Sequence, residues 1–225
     1  VQLVRRLASI DTLIPHERIR NGRTTDEEEL KLMSSVEKIA NSKIFIEDKT
    51  SMNIRDIRTK ASVLKKKHNI GYIVVDYIQL MSGTDVKGKN REQIVSDISR
   101  GLKCIAKELE IPVIALSQLN RAVEQRPDKM PQLSDLRESG AIEQDADSIL
   151  FLMRPEYYNM TEPVNFKDKE FPVQGLAICS IAKNRHGSTK NIPMEFTGST
   201  MKFKTHYLTL DEDKIRTINS SDVPF

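Results

Sequence analysis

Three polar residues of the sequence, Asp76, Gln118 and Lys183, each end or follow an apolar run that predicts a β-strand. In an open parallel sheet, ligands bind outside the carboxyl ends of the strands, so the three side chains are candidates for one site. An apolar strand that ends in a single aspartate is typical of a Walker B residue, which helps to hold Mg²⁺ on a nucleotide. The same pattern is also produced by a solvated aspartate at a strand end, so by itself it leaves both meanings open.

The segment GTDVKGKN, residues 83–90, has the G-x-x-x-x-G-K spacing of a phosphate-binding loop. Asn90 stands where such a loop needs a Ser or Thr hydroxyl for Mg²⁺, and Asp85 would face the phosphates. We therefore interpret 83–90 as a polar connection. The rest of the sequence contains no other match to a phosphate-binding loop.

The segment SDLRESGAIEQDAD, residues 134–147, is the part of the sequence richest in candidate functional residues. Arg137 and Gly140 place a guanidinium beside flexible backbone, which suits contact with phosphate oxygens rather than with bases. Glu138 and the acids that follow make the segment too acidic for a simple electrostatic groove. The alternative interpretation is a helix start, where acidic side chains interact favourably with the helix dipole.

Two cations follow another apolar run in the segment KNRHG, residues 183–187. A turn with Lys183 and Arg185 is most often a solvated hairpin. It can also project an arginine towards the phosphates of a neighbouring subunit, where the cation would stabilise charge during phosphoryl transfer.

The composition excludes several classes of protein. The chain has 225 residues with 35 Lys and Arg against 32 Asp and Glu, and a net charge of +3 is too small to indicate a nucleic-acid partner by itself. Cys104 and Cys179 lie inside regular segments, which argues against a disulfide-rich secreted protein and favours the cytoplasm. The histidines are scattered, so a zinc site is not expected. No apolar run is long enough to cross a bilayer, and G-x-S-x-G and H-E-x-x-H motifs do not occur.

The order of predicted elements favours an α/β fold. Continuous apolar runs at 72–78, 113–116, 148–153 and 176–181 predict strands of a parallel sheet with helices on both faces. A long amphipathic helix between the first two runs completes a βαβ pattern. Short strands near 192–196 and 201–203 are expected to add antiparallel strands at the C-terminal end.

The N-terminal part is predicted to be mainly helical. Leu3, Val4 and Leu7 have helical spacing without a preceding cap, so we expect the chain to begin within a helix that continues a preceding segment. Thr25 and Glu28 form a capping-box pattern. A helix is predicted over 54–68, and the short apolar run at 44–46 is interpreted as a strand.

Three segments together resemble the C-terminal ATPase domain of the bacterial replicative DNA helicases, the DnaB-like family. They are IVVDYIQLMSG, the long block IAKELEIPVIALSQLNRAVEQRPDKMPQLSDLRESGAIEQDADSILFLMR, and IAKNRHG. The resemblance extends from about Val1 to Phe203 and implies a RecA-like parallel, twisted sheet with helices on both faces. It predicts one motor domain over 1–205, followed by a polar tail over 206–225.

The resemblance also implies a role for each matching residue. Asp76 is similar to the Walker B residue that binds Mg²⁺, through water, and Gln118 to the polar sensor of the γ-phosphate. Lys183 and Arg185 resemble the pair that reaches the nucleotide of the neighbouring subunit, with Arg185 as the arginine finger. The loop that contacts the DNA backbone is matched by Arg137, Glu138 and Gly140.

The activity implied by the resemblance is duplex unwinding by a hexameric ring around single-stranded DNA, with ATP and Mg²⁺ as cofactors, and with primase and a helicase loader as partners. The family's phosphate-binding loop and its catalytic glutamate fall upstream of Val1, so this chain alone is expected to be inactive. Two alternatives remain open. One is a non-catalytic module of the same fold that binds single-stranded DNA or regulates a ring, and the other is an ATPase of the strand-exchange or clock type.

Overall fold

The computed structural model describes residues 2–49, 51–82, 90–136, 140–166 and 169–206. The helices are α1 (Gln2–Thr12), α2 (His16–Asn21), α3 (Asp26–Ala40), α4 (Ile54–His68), α5 (Arg91–Leu109) and α6 (Gly140–Asp145). The strands are β1 (Ile73–Val75), β2 (Val113–Ala115), β3 (Ser148–Met153), β4 (Val164–Phe166), β5 (Lys169–Phe171), β6 (Leu176–Asn184), β7 (Lys190–Thr197) and β8 (Lys202–Thr205).

The strands form parallel and antiparallel pairs as the sequence predicts. Strands β1 and β2 are parallel, with Val74 opposite Ile114, and α5 connects them. A four-stranded sheet has the order β3-β6-β7-β8, and its last two strands, β7 and β8, pair antiparallel. Strands β4 and β5 form a separate antiparallel hairpin. The predicted βαβ unit and the antiparallel C-terminal strands are therefore confirmed, but the four apolar runs do not share one sheet in the described residues, because β1 and β2 form one sheet while β3 and β6 lie in the four-stranded one.

The described residues divide into two compact units, one drawn from 2–44, 152–180 and 190–206, the other from 45–151 and 181–189. In the first unit, α1 and α3 are joined by an ion pair of 2.8 Å between Asp11 and Lys38. Ala8 and Ser9 of α1 are buried, and the Ser9 hydroxyl donates to the Ile14 carbonyl at 2.6 Å. This bond fixes the turn that follows α1.

The second unit is organised around α5, whose apolar face is buried. Val95, Ile98 and Leu102 recur at helical spacing and form a core cluster with Ile78, Met81 and Ile142. Helix α4 approaches α5 closely at Gly101, where a Cβ atom would lie 2.8 Å from the Ile54 side chain. A residue with a Cβ atom at this position would force the Ile54 side chain to shift, so glycine allows the close approach.

Helices α3, α4 and α5 each begin with a capping box. The side chain of Thr25, Asn53 or Asn90 accepts the backbone N–H three residues later, and the side chain there accepts the cap's own N–H. Each box satisfies two backbone donors that a helix start leaves without partners. These local bonds set where the helices begin.

Our prediction of a strand at 44–46 is wrong. Residues 43–49 have no regular structure, and Ile44, Phe45 and Ile46 are about half exposed. Three apolar residues make a strand only where another strand pairs with them, and none does so in the described part of the chain.

The apolar runs are not covered on both faces within the described residues. In β3, buried Ile149, Phe151 and Met153 alternate with exposed Leu150 and Leu152. Val74 of β1 and Ile114 of β2 lie opposite each other, and both are about half exposed. Because successive strand residues point to opposite faces, continuous apolarity predicts two apolar faces but does not show what covers them.

No helix in the described ranges is both long and apolar enough to span a membrane.

Candidate functional site

The structure brings Asp76 and Gln118 to the same edge of the parallel pair. Backbone pairing continues past the strand ends, since Leu116 N–H donates to Val75 at 2.9 Å and Ile78 N–H donates to Leu116 at 2.9 Å. Asp76 lies between these two bonds, is exposed, and is joined to Tyr77 by a cis peptide bond. This is the arrangement that the sequence predicts for the carboxyl ends of neighbouring parallel strands.

Gln79 connects the two strand ends and was not predicted from the sequence. Its side-chain amide donates to the Ser117 hydroxyl at 2.9 Å, and its carbonyl oxygen accepts the Gln118 N–H at 3.2 Å. The Arg91 guanidinium in turn bonds the Gln79 backbone carbonyl. Gln79 thus fixes the backbone that carries Gln118. The available signal was a single amide side chain within the apolar stretch YIQLM.

Metal-ligating side chains are sparse in the ranges that the structure covers. The His, Cys, Asp and Glu residues there form no group of three or more that could hold a metal ion. Mg²⁺ in nucleotide sites is commonly held by one or two carboxylates, with phosphate oxygens and waters as the remaining ligands, so one exposed carboxylate fits that kind of site.

Lys183 and Arg185 form a second cluster, at the C-terminal end of α6. Strand β6 is three residues longer than predicted and ends at Asn184, so Lys183 lies in the strand and Arg185 in the turn that follows. The Lys183 ammonium donates to the Glu143 carbonyl. The Arg185 guanidinium donates from Nη1 to the Asp147 carboxylate and from Nη2 to the Gln144 carbonyl, each at 3.1 Å.

Asp147 also accepts a bond from Lys103 of α5. The Lys103 ammonium, and to a lesser extent the Arg185 guanidinium, hold the pKa of Asp147 below its ordinary value. Asp147 is therefore an ionised carboxylate with two cationic neighbours at neutral pH. Its pairing with Arg185 spans 38 positions of sequence, and spacing alone did not indicate it.

Of the predicted DNA-contact residues, the structure places Gly140, while Arg137 and Glu138 lie outside the described residues. Gly140 is the first residue of α6, and a Cβ atom there would meet nothing within 4 Å. On the N-terminal side of Arg137, Leu136 is buried and packs with Ile149 and Phe151 of β3. The residues on either side of 137–139 are thus parts of ordered elements of the second unit.

Asp135 anchors the chain two residues before Arg137. Its side chain is 4% exposed and accepts two bonds from the Arg126 guanidinium, of 2.9 and 2.5 Å, and the Gln132 N–H at 2.7 Å. The Arg126 guanidinium, more than the Gln132 N–H, holds the pKa of Asp135 below its ordinary value. A two-bond arginine–carboxylate pair is among the stronger and more directional polar contacts in proteins.

Replacing Asp135 with alanine is expected to lower the free energy of unfolding at pH 7 by about 2 kcal/mol. Breaking a fully buried pair costs about 3–5 kcal/mol, and here Arg126 can turn towards solvent. Chemical denaturation of both proteins measures the difference. An unchanged midpoint would contradict an anchoring role for Asp135.

The same stabilisation should depend on pH in a defined direction. Because the pKa of Asp135 is lower in the folded than in the unfolded state, the stabilisation is complete above the unfolded pKa and is lost as the pH falls through the folded one. The difference between the wild type and Asp135→Ala should therefore shrink below about pH 4.

Asn90, the last residue of the segment with phosphate-loop spacing, has a structural task. Its side-chain oxygen accepts the Gln93 N–H at 2.9 Å as the N-cap of α5. The other residues of that segment, 83–89, lie outside the described residues. The bond of Asn90 supports our interpretation that 83–90 is a connection.

The sequence matches the family model described as "DnaB-like helicase C terminal domain" over residues 1–205. The chain is 43% identical over 214 residues to the replicative DNA helicase DnaB of Geobacillus stearothermophilus, covering 95% of this chain and 45% of that protein. It is also 43% identical over 202 residues to the replicative DNA helicase DnaC of Bacillus subtilis, covering 90% of this chain and 42% of the relative. The chain thus spans less than half the length of these relatives.

Solved structures give the same result. One that is described as an ATPase domain matches with a TM-score of 0.80 and 38% identity, over 90% of this chain and 69% of that one. A DnaB-like replicative helicase, studied for its interactions with primase, matches with a TM-score of 0.79 and 35% identity, over 90% of this chain and 47% of that one. These similarities confirm the predicted α/β, RecA-like fold, and the chain belongs to the family of DnaB-like helicase C-terminal domains.

Proposed function

We propose that the protein containing this chain is a replicative DNA helicase, which unwinds duplex DNA by hydrolysing ATP as a hexameric ring around single-stranded DNA. The main support from the geometry is that Asp76 and Gln118 lie at adjacent carboxyl ends of a parallel strand pair. In open α/β sheets this is the edge that binds nucleotides. The named relatives of the chain, which are replicative DNA helicases, support the choice of reaction.

In this proposal Asp76 holds Mg²⁺, through water, beside the phosphates of ATP. When bound, the ion would neutralise charge that develops on the transferred phosphoryl group. Gln118 would sense the γ-phosphate, and Gln79 would keep it in position because the Gln79 side-chain oxygen accepts the backbone N–H of Gln118. A carboxylate with neighbouring amide groups matches the preference of Mg²⁺ and phosphate for oxygen ligands and N–H donors.

Lys183 and Arg185 would act on the nucleotide of the neighbouring subunit. The contacts that Arg185 makes within its own chain use one N–H on each terminal nitrogen, and a guanidinium has five N–H donors. Donors therefore remain for an incoming phosphate. An arginine supplied across an interface stabilises the transition state of phosphoryl transfer.

The proposed ring, partners and location follow from the family. A ring of six copies, a helicase loader and a cytoplasmic location are expected for a replicative helicase. Primase is supported as a partner because a structural relative is described together with its interactions with primase.

Unwinding of a forked duplex by the intact protein, with ATP and Mg²⁺, tests the proposal. We expect strand separation that requires ATP. A protein that binds single-stranded DNA but neither hydrolyses ATP nor separates strands would instead be the non-catalytic module. Hydrolysis with filament formation and no unwinding would favour an ATPase of the strand-exchange type.

Replacing Arg137 with alanine should weaken single-stranded DNA binding by a similar factor for different homopolymers, because contacts to phosphates do not read bases. The slope of log affinity against log salt should become shallower by about 0.7, the value for one lost contact to a single strand. Fluorescence anisotropy at several salt concentrations measures both effects. Lys204→Ala, which removes an exposed cation of β8, is the control. A loss that depends on base sequence would contradict the assignment of Arg137.

A further inference from the structure

Both the backbone and the guanidinium of Arg185 bond to residues around the C-terminal end of α6. Its backbone N–H donates to the Asp147 carbonyl at 2.8 Å, as its guanidinium donates to the Asp147 carboxylate and the Gln144 carbonyl. A long side chain fixed at its base and at its tip loses most of its freedom to sample other directions. The direction of the guanidinium is therefore set by residues 144–147.

The carbonyl groups that receive the two cations belong to the last turn of α6. Lys183 bonds the Glu143 carbonyl, and Arg185 bonds the Gln144 carbonyl. The last four carbonyls of a helix lack partners within the helix and carry its negative dipole end, so cations are stabilised there. Both proposed trans-acting cations thus bind to one helix terminus.

The other end of α6 begins at Gly140, directly after residues 137–139 of the proposed DNA-contact segment. Helix α6 is six residues long, which corresponds to about 9 Å. Its buried residue, Ile142, packs in the core cluster with Val95 and Ile98 of α5. The proposed DNA-contact segment and the carbonyls that bind both cations are therefore at the two ends of one short helix.

We propose that Asp147 is a positioning residue for Arg185, and that α6 couples strand binding near Gly140 to the hydrolysis that Lys183 and Arg185 assist. The inference rests on the proposed function, because it takes the DNA-contact segment and the trans action of Arg185 from it. It adds the physical connection between them, which consists of Asp147 and the terminal carbonyls of α6.

Asp147→Ala in the intact helicase tests the coupling. We expect kcat for ATP hydrolysis in the presence of single-stranded DNA to fall about 10–100-fold, the loss typical of a misplaced catalytic group. The KM for ATP and the dissociation constant for DNA should stay within about twofold, because neither ligand touches Asp147 in the proposal. Asp147→Asn keeps an oxygen acceptor without the charge, so its kcat should lie between those of the wild type and Asp147→Ala.

The double variant Asp147→Ala/Arg185→Ala separates positioning from general damage. If Asp147 acts through Arg185, the double variant should hydrolyse ATP as slowly as Arg185→Ala alone. Additive losses would overturn the inference, because Asp147 would then act by a route independent of Arg185.

The chain contains a matched control pair. Arg58 of α4 and Glu108 of α5 are 3.2 Å apart with side chains 47% and 49% exposed, against 3.1 Å, 47% and 51% for Arg185 and Asp147. Glu108→Ala should leave stimulation of hydrolysis by DNA unchanged. Lys103→Met removes the other partner of Asp147 and should also leave it unchanged.

The outcomes distinguish this inference from the proposed function. If Arg185→Ala slows hydrolysis but Asp147→Ala does not, the coupling is overturned and the function stands. If Arg185→Ala hydrolyses ATP like the wild type, the assignment of Arg185 in the proposed function fails first. If Asp147→Ala lowers the melting temperature strongly, Asp147→Asn is used for the test instead. It must then lower DNA-stimulated kcat by about threefold or more at an unchanged melting temperature, and an unchanged kcat overturns the inference.

Discussion

The Arg185→Ala variant of the intact helicase is expected to hydrolyse ATP about 10³-fold or more slowly than the wild type, with nucleotide affinity nearly unchanged. An arginine finger acts mainly on charge that appears in the transition state, so its removal lowers kcat rather than ground-state binding. Steady-state hydrolysis and equilibrium binding of a fluorescent nucleotide measure the two quantities separately.

Arg58→Ala is the matched control for this variant. Arg58 and Arg185 have equally exposed side chains, and each pairs with a carboxylate at a distance of just over 3 Å. Arg58→Ala should keep its hydrolysis rate. An Arg185→Ala protein that turns over ATP at the wild-type rate would remove Arg185 from the active site.

Asp76→Asn should also lower ATP hydrolysis about 10³-fold, in this case by removing the charge that is proposed to hold Mg²⁺. The amide keeps the size of the side chain but removes its charge. A bound metal ion contributes several kcal/mol to transition-state stabilisation, and each 1.36 kcal/mol changes a rate about tenfold. Hydrolysis measured over a range of Mg²⁺ concentrations should show that more metal restores little of the rate.

Glu110→Gln makes the same chemical change at the opposite edge of the strand pair, because Glu110 precedes β2 whereas Asp76 follows β1. It should leave hydrolysis unaffected. Mixed rings of Asp76→Asn and Arg185→Ala subunits add a test of action across the interface. Some interfaces of such a ring contain both intact residues, so mixing should restore hydrolysis that neither variant has alone. No restoration would mean that Asp76 and Arg185 act within one subunit.

The elements with a strong local signal could be predicted from the sequence. The helix expected over 54–68 is α4, and the capping box of Thr25 and Glu28 starts α3. Both depend on periodicity and on contacts within one turn, which the sequence displays directly. The prediction of a strand at 44–46 failed because a strand depends on a distant partner strand, which its own residues do not identify.

The candidate site was only partly predictable for the same reason. Strand ends place Asp76 and Gln118, since the rule for parallel sheets needs nothing beyond the apolar runs. Gln79 and Ser117, 38 positions apart, and Arg185 and Asp147, also 38 positions apart, meet only because the chain folds. The division into a motor domain over 1–205 and a tail over 206–225 stays a prediction. His206, at that boundary, is buried with its ring 4.9 Å from that of Phe171.

The capping box at Asn90 has a consequence for how the protein can be labelled. The start of α5 is set by reciprocal bonds between Asn90 and Gln93, and by the burial of Val95 and Ile98 further along the helix. None of these contacts uses a side chain from residues 83–89. A cysteine for dye attachment or a short peptide tag placed just before Asn90 should therefore leave the register of α5 intact.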